Sequence, residues 1–430
     1  MSTIDNILDR EINEKRLENI IPLSLGNISG IKYFYYAAAT AKKELIELLL
    51  LRKINFNQHF ERTGMTPLHA AIENGKVDIV KLLLQQGTDW TVTRNLRQFP
   101  FDTSTSSNGY TVLHMAAQKV HKEMINIFLE YGSFNCLFIP AGEHGYTHFH
   151  VAVDSEHEDV VKLFLEIGVR ADCPTGRGFV SLYIAAQKGH ETILQLLLKY
   201  DTPVDVVGQT SFELSTECNS ILETYGIVDL TQEGRHWIIK WDEAFSPLYV
   251  ASYHGHEKMV RTLLEKGADP NSSFEKGITP VHAAAQEGHK EIVDLPLKNG
   301  ALANFNKSNQ FSTPLIVAAK GGHEEIVKIL LLHDADVKTK LRSPYRDFSK
   351  CIENVFSCEN FPLCIEHGNG QMALQFAAKA GNKSVIDMLL KYGADVNECS
   401  DDGHPSIPIA VFENNVEILR TLLEAGGNMN

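Results

Sequence analysis

No stretch of this 430-residue chain is apolar for long enough to cross a bilayer. The longest aliphatic run, Leu45 to Leu51, falls far short of the ~20 residues that a spanning helix needs. The N-terminal MSTIDNILDREINEKR is charged throughout and lacks an apolar core, so no conventional secretory signal is expected. Positive charge is also in deficit. Lys and Arg total 40 against 54 Asp and Glu, a formal charge of −14, which argues against nucleic acid or an anionic membrane as partner. Cysteine is sparse and odd in number: Cys136, Cys173, Cys218, Cys351, Cys358, Cys364 and Cys399 suit free thiols in a reducing, cytoplasmic setting better than a disulfide framework. Glycine-rich phosphate loops, G-x-S-x-G and kinase signatures are all missing, which leaves little support for an enzyme. With 43% hydrophobic and 22% charged residues, the chain is neither disordered nor fibrous in composition.

What is present is a period. Thr66-Pro-Leu-His-Ala-Ala recurs in variant form at Thr111, Thr147, Val180, Ser246, Thr279, Thr313, Met372 and Pro405, nine copies on a spacing of about 33 residues interrupted by insertions. The sixth residue of every copy is alanine: Ala71, Ala116, Ala152, Ala185, Ala251, Ala284, Ala318, Ala377 and Ala410. A small residue is required wherever two helices approach closely. The twenty-second residue is glycine in seven copies and aspartate in two (Asp201, Asp334), as a left-handed helix end demands.

Within one copy, Thr66 suits the cap of a short helix and Pro67 its first turn, where the missing N–H is harmless. Gly75 interrupts that helix, and Val77, Ile79, Val80, Leu82, Leu83 and Leu84 then give the apolar spacing of a second one. Each unit is therefore a helical hairpin that cannot bury its apolar face alone, so neighbours must stack. Pro296 interrupts one second helix and is expected to kink its last turn.

These residues resemble the ankyrin repeat, whose G-x-T-P-L-H pattern, second helix and closing G-A-D-x-N are legible from Gly277 to Asn304. The resemblance implies an all-α solenoid of nine to ten helix-turn-helix repeats with short β-turn fingers, covering about three quarters of the chain. Residues 1–30 are expected to form a helical cap, 31–226 a first block with an insert at 95–107, 227–242 a Trp-containing connector, and 243–430 a second block with a Cys-rich insert at 339–368. A worn unit is expected at 32–57 and a shortened one at 211–226.

Ten of the 18 histidines fall at repeating places: His69, His114, His150 and His282 beside the cap, and His121, His157, His190, His256, His289 and His323 after the first helix. Periodic histidines of this kind are expected to hydrogen-bond neighbouring turns and tie units together. His256 and His323 each begin a zinc-protease-like run, yet the second histidine is absent. In the Cys-rich insert, Cys351, Cys358, Cys364 and His367 offer three thiols and an imidazole. Three readings stay open: a zinc site, cysteines packed as small apolar groups, and a reactive Cys364 with His367. Apart from that zinc, no cofactor is expected.

All three inserts enter between a second helix and the next cap, on one edge, and the ankyrin resemblance implies that turn tips and first helices there form a concave recognition face. Tyr110, Tyr146, Phe179 and Phe245 precede successive caps, with Trp237 and Trp241 in the insert beside them, and are candidate anchors for a protein partner. The alternative is that each ring packs on its own hairpin. The expected function is a non-catalytic interaction module or adaptor in the cytoplasm. The Lys-, Ile- and Asn-rich bias resembles that of ankyrin effectors delivered by intracellular bacteria into host cytoplasm. Asn271 and Asn397, eight residues after Leu263 and Leu389, also resemble ankyrin asparagines hydroxylated by a cytosolic oxygenase.

Overall fold

The computed structural model describes residues 27–51, 53–60, 64–90, 110–119, 121–131, 146–172, 175, 180–205, 246–273, 277–305, 312–341, 370–401 and 403–428. Among them every regular element is an α-helix, and an isolated antiparallel bridge joins Phe60 and Met65. Contacts divide the chain into two units, the first described through Ile184 and the second from Ala185. The expected connector at 227–242, the shortened unit at 211–226 and the insert at 95–107 lie outside the described residues.

The first unit begins with α1 (Asn27–Thr40) and α2 (Lys43–Leu51), followed by α3 (Pro67–Glu73) with α4 (Val77–Gln85). Next come α5 (Val112–Gln118) with α6 (Lys122–Tyr131) and α7 (His148–Asp154) with α8 (Glu158–Glu166). The helix α9 (Ser181–Lys188) spans the division and pairs in sequence with α10 (Glu191–Lys199). The second unit continues with α11 (Pro247–Tyr253) and α12 (Glu257–Glu265), then α13 (Pro280–Glu287) and α14 (Lys290–Lys298). It ends with α15 (Pro314–Gly321) and α16 (Glu324–Leu332), α17 (Ala373–Ala380) and α18 (Lys383–Lys391), and α19 (Ser406–Phe412) and α20 (Val416–Glu424). Within each unit, first helices pack on neighbouring first helices and second helices on second, as stacked hairpins must.

Local chemistry explains each hairpin. Thr66 is extended (φ −85°, ψ 167°), its hydroxyl accepts from the His69 N–H, and the His69 Nδ1 accepts from the Thr66 N–H at 3.3 Å. Two otherwise orphaned donors are thus satisfied reciprocally. At the far end of the first helix the N–H of the eleventh residue reaches the carbonyl of the sixth, the conserved-register alanine: Lys76 to Ala71 at 2.8 Å, His289 to Ala284 at 2.9 Å, Asn415 to Ala410 at 3.0 Å. This six-to-one bond closes the helix and turns the chain into the second one. All nine alanines are fully buried, because a larger side chain would separate the packed helices. At the twenty-second place Asp201 (φ 56°) and Asp334 (φ 60°) adopt the same left-handed conformation as the glycines.

The worn first repeat keeps this register. Lys42 donates to Ala37 at 2.9 Å, and Lys53 (φ 54°) stands at the left-handed place. It brings the described hairpins to ten. Residues 27–30 open α1, and the remainder of the expected cap lies outside the described residues. Pro296 does not shorten α14, which spans nine residues like α12 and α16. The Pro296 carbonyl accepts from Asn299 and Ala301, so the terminal turn forms with the proline inside the helix.

Candidate interaction surface

The repeating histidines are spent on structure. In His69, His114, His150 and His282 the Nδ1 lies 2.8 to 2.9 Å from the cap threonine hydroxyl, and all four rings are buried. The Nε2–H of His114 donates to the Tyr146 carbonyl at 3.1 Å and that of His282 to the Ser312 carbonyl at 2.9 Å, each reaching the next hairpin. Because Nδ1 of His282 accepts from Thr279 N–H at 3.1 Å, this imidazole is held neutral with its proton on Nε2. Full burial pushes its pKa down to about 4, only partly opposed by the Ser312 carbonyl.

The second column reaches backward. His157 donates to the Gln118 carbonyl, His256 to Gln187, His289 to Tyr253 and His323 to Gln286, at 2.6 to 3.3 Å. Asn382 does the same with its amide, to Gly322 at 3.0 Å. Where a histidine is replaced beside the cap, Gln375 takes over: its Oε1 accepts from Met372 N–H at 2.7 Å and its Nε2 donates to the His404 carbonyl at 2.9 Å.

Asparagines at the turn tips form a third tie. Asn271 donates to the Gly300 carbonyl (3.0 Å) and accepts from Leu302 N–H (2.8 Å). Asn397 does so with Gly426 (3.1 Å) and Asn428 (2.7 Å). Asn304, not singled out by its spacing from a leucine, makes the same pair of bonds with Asp334 and Asp336. At Asp205 a carboxylate replaces the amide and accepts from Asp269 N–H; burial, helped by the Asp269 charge, raises its pKa.

Of the six expected aromatic anchors, two are described. Tyr110 is only 4% exposed, with its ring stacked 5.1 Å from that of His114 on its own hairpin. It is therefore not at an exposed edge: the ring packs on the imidazole of its own hairpin. Tyr146 is half-buried, 6.0 Å from the His150 ring. Phe179, Trp237, Trp241 and Phe245 lie outside the described residues, as do Cys351, Cys358, Cys364 and His367. Among the described residues no three His, Cys, Asp or Glu side chains gather as a metal site, and no helix is long and apolar enough to cross a membrane.

The Cys-rich insert leaves and re-enters the stack at one point. Leu341 N–H donates to Gln371 and the Leu341 carbonyl accepts from Gly370 at 2.6 Å. Beside this closure Lys340 pairs with Glu398 at 2.9 Å and donates to the Cys399 carbonyl.

The first helices differ at their C-terminal ends, which are half-buried or exposed. The eighth residue of successive copies is Tyr253, Gln286, Lys320, Lys379 and Phe412, and no two neighbours share one chemistry except the two lysines. Composition and spacing did not single these out, since their significance emerges only once first helices lie side by side.

Comparison with known proteins agrees with this geometry. A family model described as "Ankyrin repeats (3 copies)" matches residues 11–94, 91–175, 167–274, 248–340 and 346–430. The human "Transient receptor potential cation channel subfamily A member 1" is 23% identical over 245 residues, 55% of this chain and 18% of that protein. The human "Ankyrin repeat and SOCS box protein 3" is 32% identical over 98 residues, 21% of this chain and 18% of that protein. Mouse "Inactive serine/threonine-protein kinase TEX14" is 39% identical over 69 residues, 16% of this chain and 5% of that protein. The chain thus spans less than a fifth of the length of these relatives. Matched along nearly its whole length and with ten such hairpins among its described residues, the chain belongs to the ankyrin-repeat family.

Proposed function

We propose that the chain is a non-catalytic adaptor that binds a partner protein on the edge formed by its turn tips and first helices. The observation that carries this reading is the division of labour between repeating and varying residues. Those in register are buried or engaged in joining hairpins, whereas the ends of the first helices change from the half-buried Tyr253 and Gln286 to the exposed Lys320 and Phe412. A preformed surface of this kind loses little conformational entropy on docking. The free, exposed thiol of Cys399 supports a reducing, cytoplasmic setting. The Lys-, Ile- and Asn-rich composition supports a bacterial effector acting in host cytoplasm as the origin.

The test is capture of partners from eukaryotic lysate on the full chain and on a Tyr146→Ala, Phe179→Ala, Phe245→Ala variant that keeps its helicity. Tyr110 is left intact because it is buried. A protein retained by wild type and lost by the variant supports binding at this edge. Equal retention overturns the edge, and no retained protein overturns the adaptor reading.

A further inference from the structure

We propose that two copies of this chain associate face to face through the outward side of the hairpin α19–α20. Such pairing is independent of the adaptor reading above.

The hairpins α13–α14, α15–α16 and α17–α18 each have a neighbour on both sides, whereas α19 and α20 pack on α17 and α18. The seventh residue of the copy is fully buried in the doubly covered hairpins (Ala285, Ala319, Ala378), and so is the fifteenth (Val293, Val327, Ile386). The same places in α19 and α20 hold Val411, which is 55% exposed, and the half-buried Leu419. A stack of repeats stays soluble when a bare face of this kind is polar. Here the substitutions run the other way. The eighth place, held by Gln286, Lys320 and Lys379 in the preceding copies, carries Phe412, 88% exposed. The twelfth, held by Glu257, Lys290, Glu324 and Lys383, carries Val416, 65% exposed. That twelfth residue points toward the following hairpin: Glu324 accepts from the Ser384 hydroxyl, and Lys383 pairs with Glu417 at 3.8 Å. Val416 therefore extends an apolar face already formed by Val411, Leu419 and the exposed Leu423. Lone exposed apolar residues are ordinary, but a contiguous set that replaces charges marks a contact surface.

Two observations select a second copy as the occupant. The first is continuity with the stack, in which hairpins meet like on like, first helix against first and second against second. A hairpin of the same kind thus has the shape that this face receives. The second is charge. Arg420 and Glu424 are both exposed and stand one turn apart on α20. Arg420 occupies the sixteenth place, from which Lys81 reaches Glu123 of the following hairpin at 3.5 Å. A two-fold rotation that lays α20 antiparallel to its copy sets each arginine against the other copy's glutamate, where a rim of one sign would repel itself. The pairing closes at two, because each face is used up by the other. One phenylalanine and four aliphatic side chains make a small interface, so the dimer is a weak one that forms as concentration rises.

The test is sedimentation of the full chain over a range of concentrations, with a Phe412→Lys, Val416→Glu variant beside it. The two substitutions restore the residue types that Lys379 and Glu324 supply at the same places, and both sites are exposed, so the melting temperature is expected to hold. Wild type is expected to pass from monomer to dimer and no further, and the variant to associate about tenfold or more weakly. Arg420→Glu is expected to weaken the dimer and Arg420→Glu combined with Glu424→Arg to restore it. Should the apolar variant melt early, this charge exchange on exposed residues still decides. A monomer at every concentration, growth beyond the dimer as head-to-tail stacking would give, a dimer indifferent to Phe412→Lys, Val416→Glu, or a charge exchange that restores nothing overturns the proposal.

Discussion

His282 joins two hairpins through a single proton: its Nε2–H donates to the Ser312 carbonyl 2.9 Å away while its Nδ1 accepts from Thr279. Protonating the ring would turn Nδ1 into a donor facing a donor, in a site closed to water.

A pH dependence follows. In the unfolded chain this histidine titrates near 6.5, in the folded chain at about 4. Between those values the unfolded state binds a proton that the folded state refuses, so stability is complete above 6.5 and is lost as pH falls toward 4. The slope approaches ~1.4 kcal/mol per pH unit for one group. Gln375 shows that an amide fills the same place without titrating. His282→Gln is therefore expected to remain folded at pH 7 and to lose less stability than wild type between pH 6.5 and 4, as measured by urea midpoints. Parallel pH curves for the two proteins would contradict this.

The glycine before a second-column histidine is constrained twice over. At Gly255 (φ 80°) an added Cβ would lie 2.8 Å from the His289 Cε1, whereas at Gly267 (φ 88°) it would meet nothing within 4 Å. Gly267→Ala should cost about 1–2 kcal/mol from backbone strain alone. Gly255→Ala should cost more, and the excess should shrink in a His289→Ala background, as a double-mutant cycle of melting data would show.

The turn-tip asparagines separate donor from acceptor. Asn271→Asp retains an acceptor for Leu302 N–H but gives up the donor to Gly300, the situation already present at Asp205. Its cost is expected to be smaller than that of Asn271→Ala, with both within about 0.5–1.5 kcal/mol because the site is exposed. Equal losses would mean that the amide's acceptor contributes nothing.

Residues 342–369 are expected to be removable. Their flanks, Leu341 and Gly370, are already hydrogen-bonded to each other, so a short glycine-rich link closes the gap without moving either hairpin. Loop length itself costs little. The shortened chain should unfold within about 0.5 kcal/mol of wild type. A drop of more than about 2 kcal/mol would show that the insert packs into the stack.

Much of this architecture was legible because repetition separates signal from accident. One threonine before one histidine says little, but nine registered alanines locate every helix–helix approach, and the worn repeat at Lys32 to Asn57 could be placed by Tyr35, Ala37 and Leu45 alone. The histidine ties were legible for the same reason. Tyr110 was not. Register locates a residue along the chain but not the direction of its ring, and that ring found His114 rather than solvent. At Pro296 α14 keeps its nine residues, and the carbonyls of Leu295 and Pro296 both receive N–H donors at its end.

Within each unit, helices meet chiefly their own partner and the corresponding helices of adjacent hairpins. Every contact a hairpin needs is then available as soon as its predecessor has formed, one repeat length back along the chain. Such a protein need not wait for its C-terminus: stacking can advance in step with translation, each emerging pair of helices adding to those already assembled, with short loops to close and few distant segments to find.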